Sequence, residues 1–174
     1  MSSSTLSRFE SVLDELDVSV TRVTEAEFQS RIDEVVESPA VGVALDETFG
    51  DPELALSGTS VEVDPTPATL RAATTGVTGA SLGIADYGSL VLSVTDRASE
   101  LVSLFVDRHV AVVRENDVER DMESAVRSLG SEFRRTKGSA VIATGPSATA
   151  DMGALVKGAH GPREVHVVVL TEGE

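Results

Sequence analysis

Cysteine is absent from all 174 residues. That removes disulfides, thiolate zinc sites, a cysteine nucleophile and cysteine-ligated iron–sulfur clusters at once. Any redox role has to come from a partner. Lysine is scarce as well. Lys137 and Lys157 are the only two, so arginine supplies most of the 14 cations set against 29 carboxylates, a formal charge of −15. Few lysines and many acids give a composition similar to that of salt-in halophiles, where the Debye length falls to about 3 Å at 1 M salt and high charge keeps a chain soluble. The same charge argues against nucleic acid or an anionic membrane as ligand, since both call for a basic stripe. Long apolar runs are missing too. No stretch approaches the ~20 residues of a membrane span, and the serine-rich residues 1–8 have no apolar signal core. The expectation is a soluble, cytoplasmic protein with no nucleic-acid partner and no membrane insertion. At this length the chain is expected to be one domain over residues 1–174, with a core that needs no staples.

The pattern along the chain alternates. Residues 4–17 put Leu6, Phe9, Leu13 and Leu16 at helical spacing, and residues 18–23 alternate as a strand. Thr24 with Glu27 is a capping-box pattern opening a helix through Val36. Residues 41–45 read as a strand, 46–58 as irregular, 61–63 as a short strand and 68–72 as a brief helix. Between 75 and 94 charge almost disappears. There, 75–85 and 89–94 read as two buried strands joined by an Asp86-Tyr87-Gly88 turn, whose glycine suits positive φ. Residues 95–105 read as loop and helical turn, and 109–114 as a valine-rich strand. Asn116 or Asp117 is expected to cap a helix burying Val118, Met122, Val126 and Leu129, followed by a linker through Gly130, Arg134, Arg135 and Lys137. Beyond come a strand at 139–144, a Gly145-Pro146-Ser147 turn, a helix over 149–157 and a break at 158–162. Residues 165–170 form the unbroken apolar run of a strand buried on both faces of a parallel sheet. Together these predict an α/β fold whose sheet has mixed strand directions.

Three segments carry a family resemblance. They are Gly76-Val77-Thr78-Gly79-Ala80 running into residues 83–92, then Gly145-Pro146-Ser147-Ala148-Thr149-Ala150-Asp151, then Lys157-Gly158-Ala159-His160-Gly161-Pro162-Arg163 leading to His166. In order and spacing they resemble the LUD domain family, specifically its small cysteine-free lactate utilization protein C group, over about residues 75–170. The resemblance implies a three-layer α/β fold similar to the NagB/RpiA/CoA-transferase group. It also implies a place in oxidation of L-lactate to pyruvate beside iron–sulfur partner subunits, with no cofactor held by this chain. The chain departs from the family where Asp86 and Tyr87 replace Glu then Thr or Ser, where Ala148 replaces a frequent Arg, and where Val106 and Asp107 replace a Pro pair.

The candidate site residues each have two readings. Gly145, Ser147 and Thr149 leave a strand and are expected to open a helix, so backbone N–H groups and hydroxyls there cradle an anion, or Ser147 or Thr149 merely caps its own helix. Asp86 is the one ionisable group in a long apolar stretch. It is either a desolvated general acid or base, or acyl acceptor, or an exposed turn residue. His160 is a general acid or base and Arg163 a carboxylate clamp, or both belong to a Gly-Pro turn among surface acids. Thr75, Thr78 and Ser81 line the Gly-rich segment, which marks either a ligand approach or a bulge, and Gly88 and Ser89 are ligand-binding candidates of the Asp86 turn. His109, His160 and His166 have no metal-site spacing, and His109 and His166 read as strand residues. Phosphate-loop, dinucleotide and nucleophile-elbow patterns are missing. Three functions stand: a lactate-oxidation subunit holding a small anionic ligand between the Gly145 turn, the Asp86 turn and the His160 loop; a stand-alone enzyme acting on a CoA ester or sugar phosphate through Asp86; and, with less behind it, a ligand sensor with no catalytic partner.

Overall fold

Leu6, Phe9, Val12 and Leu13 recur every three or four residues and form the buried stripe of α1 (Ser3–Glu15). The computed structural model describes residues 3–94, 99–158 and 160–173. Helix α1 closes on Asp17, which adopts a left-handed φ of 59° while the Val18 N–H reaches back to the Leu13 carbonyl at 2.9 Å. After β1 (Ser19–Val23), the Thr24 N–H and hydroxyl donate to the Glu27 carboxylate at 3.3 and 3.0 Å. This pair opens a 3-10 turn that runs into α2 (Phe28–Val35). Strand β2 (Ala40–Gly42) ends before the expected 41–45 does, and α3 (Leu45–Phe49) with a second 3-10 turn (Pro52–Leu54) takes over from Leu45 into the stretch expected to be irregular. Leu45 and Leu54 are fully buried there, and burial of two leucines is what the Gly and Pro signals concealed. Strand β3 (Val61–Val63) and α4 (Pro67–Ala72) lie where expected.

The expected single strand over 75–85 is two. Strand β4 (Thr75–Gly79) and β5 (Leu82–Ile84) belong to different sheets, and the switch is written in consecutive amides. The Ala80 N–H donates to Val112 and the Ser81 N–H to Val91, at 2.7 and 2.8 Å. Strand β6 (Ser89–Ser93) returns antiparallel to β5 through the expected turn, with Gly88 at φ 59°. Helix α5 (Ser99–Leu104) and β7 (Arg108–Arg114) follow; residues 95–98 of the expected loop lie outside the described residues. Val118 and Glu119 form β8 (Val118–Glu119) against β5 instead of entering a helix, so α6 (Met122–Thr136) starts later. Its cap is Asp121, whose carboxylate accepts the Ser124 N–H at 2.8 Å. Helix α6 buries Ala125 and Leu129, leaves Val126 exposed, and runs straight through the supposed linker.

Strand β9 (Ala140–Thr144) is followed by the largest departure from expectation. Residues 149–157 are not helical; β10 (Ala148–Asp151) and β11 (Ala154–Lys157) form an antiparallel hairpin. Met152 and Gly153 both take positive φ at its tip, the two-residue turn that matches strand twist. Strand β12 (Glu164–Leu170) completes the chain's strands as expected.

Six strands make a parallel sheet in the order β1-β12-β7-β4-β2-β3. Strands β7 and β12 read as continuous apolar runs because both faces of this sheet are covered. On one face Phe28 and Ile32 of α2 pack on Val77, Val110, Val112 and Val168. On the other, Phe9 and Leu13 of α1 and Leu90 and Leu92 of a second sheet pack on Ala111, Val113, Val167 and Val169. That second sheet, in the order β8-β5-β6-β9, mixes parallel and antiparallel pairs and is backed by Ala125 and Leu129 of α6. The fold is α/β and layered, with the mixed directions confined to the second sheet. Gly76 sets how closely α5 approaches: a Cβ there would lie 2.2 Å from the Val102 carbonyl oxygen. Among the described residues no helix is long and apolar enough to cross a membrane.

Candidate functional site

Strand β7 brings His109 into the interior near its amino end, where the ring is 2% exposed. Thr78 on the neighbouring β4 faces the same side, and its Oγ1 lies 2.8 Å from His109 Nε2. Burial pushes the imidazole down to about 4, so it stays neutral near pH 7. Beside it opens a pocket of about 360 Å³ at the amino ends of β7 and β12. Its walls are residues 143–149, residues 160–162, Leu90, Ser103, Leu104, His109 and Val165. Ser147 ties the walls together: its N–H donates to Pro162 at 2.8 Å, its carbonyl accepts from Gly158 at 2.8 Å, and its Oγ accepts the His160 N–H at 3.3 Å.

The pocket gathers Gly145, Ser147, Thr149 and His160, with Thr78 held behind it through His109. Ser89 is buried and bonds Thr144 Oγ1 at 2.6 Å, so it supports the wall from within its own sheet. The other candidates lie apart. Thr75 Oγ1 accepts the Glu37 N–H and donates to the Glu37 carbonyl, at 2.9 and 2.8 Å, which makes it a strand-to-loop staple. Gly88 serves its turn, where a Cβ would lie 2.9 Å from Leu16. The Asp86 side chain is 48% exposed and sits 3.6 Å from Arg8, so of its two readings the geometry favours the exposed turn residue, here in a solvated ion pair. Arg163 is exposed and faces Asp107 at 3.7 Å, outside the pocket wall. The Gly145 turn enters a strand, so it has no helix dipole to offer an anion.

The residue that sequence reasoning undervalued is His109. Set aside as a strand histidine, it is a strand histidine that also lines the pocket. The available signal was an imidazole entering an otherwise valine-rich run with no acid beside it. His166 is a useful contrast. It points to the opposite face, bonded through Nδ1 to Ser19 Oγ at 2.6 Å and through Nε2 to Thr21 Oγ1 at 3.0 Å. Burial first, then Arg108, lowers it to about 4.

The carboxyl end of the sheet is the usual binding place in α/β folds, at the point where successive connections diverge. Here that point lies between β2, which leads outward to β3, and β4, which leads back to β7. A cavity of about 530 Å³ lies over it and another of about 470 Å³ lies over β1, β7 and β12. Arg114 lines both, but its guanidinium is already bonded to Glu25 at 2.9 Å and Asp51 at 3.0 Å and lies over the Phe49 ring. Glu47, Asp117 and Glu132 line the larger cavity and Glu25, Glu53, Glu115 and Glu172 the smaller. Unit charges 4 Å apart interact by about 4 kcal/mol at an effective dielectric near 20, so an anion meets net repulsion in either cavity. The amino-end pocket carries no such penalty.

The family model for the LUD domain matches residues 6–170. The chain belongs to the LUD domain family. This LUD domain is similar to a protein of Deinococcus radiodurans described as lactate utilization protein C, with 28% identity over 137 residues. That match covers 78% of this chain and 59% of the relative, so the chain spans well under two thirds of the relative's length. It is also similar in fold to the crystal structure of a DUF162 family protein from Deinococcus radiodurans. The TM-score is 0.71 and identity 23%, with 98% of this chain and 99% of that one covered.

Proposed function

We propose that this LUD domain works in lactate utilization as a protein C-type subunit, supporting oxidation of L-lactate to pyruvate beside partner subunits that carry iron–sulfur clusters. The observation carrying this reading is the family match over residues 6–170, joined to the likeness to a lactate utilization protein C. The cysteine-free composition supports the division of labour, because clusters are held chiefly by cysteine thiolates. The acidic, lysine-poor surface supports work in a salt-rich cytoplasm. In this role a small anionic ligand sits in the amino-end pocket, held by the Ser147 and Thr149 hydroxyls and the His160 loop. A stand-alone enzyme working through Asp86 is less well supported, since that carboxylate is solvated and paired with Arg8.

Deleting the chain from its source cells tests the reading. Growth on L-lactate and lactate-dependent reduction of the partners' clusters are expected to disappear, while growth on pyruvate continues. Undiminished lactate oxidation without the chain overturns it.

A further inference from the structure

The amino-end pocket differs in kind from the surface around it. The chain has 29 carboxylates and 14 lysines and arginines, yet among the described residues none lines this pocket. Its polar groups are hydroxyls and imidazoles, and the remainder of its wall is aliphatic: Leu90, Leu104, Ala143, Pro162 and Val165 among them. Its volume of about 360 Å³ falls in the ~300–1,000 Å³ range of drug-sized ligands. At roughly 30 Å³ per water it equals about a dozen waters, so a three-carbon hydroxy acid leaves much of it unfilled.

The apolar wall does not stop at the mouth. Leu104 lines the pocket and is still 46% exposed. Leu101 and Phe105, 39% and 63% exposed, share its face at helical spacing, and the Phe105 N–H closes the turn on the Leu101 carbonyl at 3.0 Å. The inward neighbours Val102 and Val106 are already used in the core. One exposed leucine needs no explanation, but an apolar stripe continuous with an uncharged pocket does.

We propose that this pocket takes an amphipathic organic acid: a carboxylate with a 2-hydroxyl or 2-oxo group as head, and an aliphatic or aromatic body longer than that of lactate. Ser147, Thr149 and the imidazoles of His109 and His160 hold the head by hydrogen bonds. The body fills the aliphatic wall and continues over Leu104 toward Phe105. This inference rests on the reading that the site holds a small anionic ligand, and adds that lactate's head group is recognised while its size is not.

The test is calorimetric titration of the full chain in high salt with L-lactate and a series of 2-hydroxy acids lengthened to 2-hydroxyoctanoate. Affinity is expected to rise about fourfold for each methylene buried. The double variant Leu104→Ser with Phe105→Ser, changed only at exposed positions, should flatten that rise for the longer acids and leave the shortest unchanged. His160→Ala should weaken every member by a similar factor. Lactate binding with no gain along the series overturns the inference and leaves the small-anion reading standing. An equal rise for alkyl alcohols lacking the carboxylate overturns the head-group assignment and the small-anion reading together. A rise retained in the double variant places the body elsewhere, and no binding by any acid rejects the ligand class. The lactate-growth phenotype of the deletion then decides the pathway role by itself.

Discussion

The two ends of the parallel sheet are built on the same strand and by opposite chemistry. Strand β7 carries His109 near its amino end and Arg114 at its carboxyl end, roughly 17 Å apart at about 3.3 Å per residue. At the amino end a neutral imidazole, hydroxyls and aliphatic side chains enclose space with no fixed charge among the described residues. At the carboxyl end the cavities are larger, but a cation is consumed by two carboxylates and more acids stand around it. The Arg114 cluster joins the segments that follow β1, β2 and β7, which is a structural duty. The general expectation for α/β sheets names the carboxyl end, and cavity size alone would choose it too. Electrostatics reverses that choice for an anionic ligand.

Acid is the strongest way to probe this contrast. His109 is neutral in the fold, at about 4, against about 6.5 when unfolded. As pH falls below about 6.5 the unfolded chain takes up a proton that the fold excludes. The stability involved is therefore complete above 6.5 and drains away as pH drops toward 4. His166 acts in the same direction. Urea unfolding at pH 7 and pH 4.5 should show His109→Gln losing less stability on acidification than the parent, by about 2 kcal/mol. Equal losses would mean that His109 is already charged or solvated in the fold.

Salt probes the other end. Arg114→Gln leaves Glu25 facing Asp51 without their shared cation and should cost about 1–2 kcal/mol, discounted for partial exposure. The gap between parent and variant should narrow as salt is raised, while 2-hydroxy acid affinity at the amino end stays the same. A fall in that affinity would show that the two ends are coupled. The smallest effect belongs to Asp86→Asn, which removes a solvated pair with Arg8 and should change stability by less than about 0.5 kcal/mol and binding not at all. Loss of binding in that variant would move the site to the Asp86 turn.

What could be read in advance was set by local chemistry strong enough to survive packing. The capping pair Thr24 and Glu27, the Gly88 turn and the apolar run ending at Leu170 all formed as their residues implied. Residues 149–157 misled because Ala, Thr, Leu and Val in a nearly uncharged stretch suit helix and strand alike. Only the positive φ at Met152 and Gly153 decides between them. Val118 misled because its role is fixed by pairing with Gly83, a partner no local window contains. The site was half legible for the same reason. The Gly145 turn and His160 loop announced themselves by composition, whereas His109 becomes a pocket residue only when β7 is set beside β4 and the Gly145 turn is folded over it.

The place of β12 has a consequence for how the protein is made. It pairs with β1 on one side and β7 on the other, and the Ser19–His166 contact spans 147 positions of the chain. A nascent polypeptide emerging from the ribosome has both flanking strands ready before the strand that belongs between them exists. At about 5–20 residues per second, the wait between synthesis of β7 and of β12 is roughly 3–12 s, during which an apolar strand edge is open to other chains. The sheet is finished by insertion into a gap, so early protection of that gap decides how much of the translated protein reaches the native state.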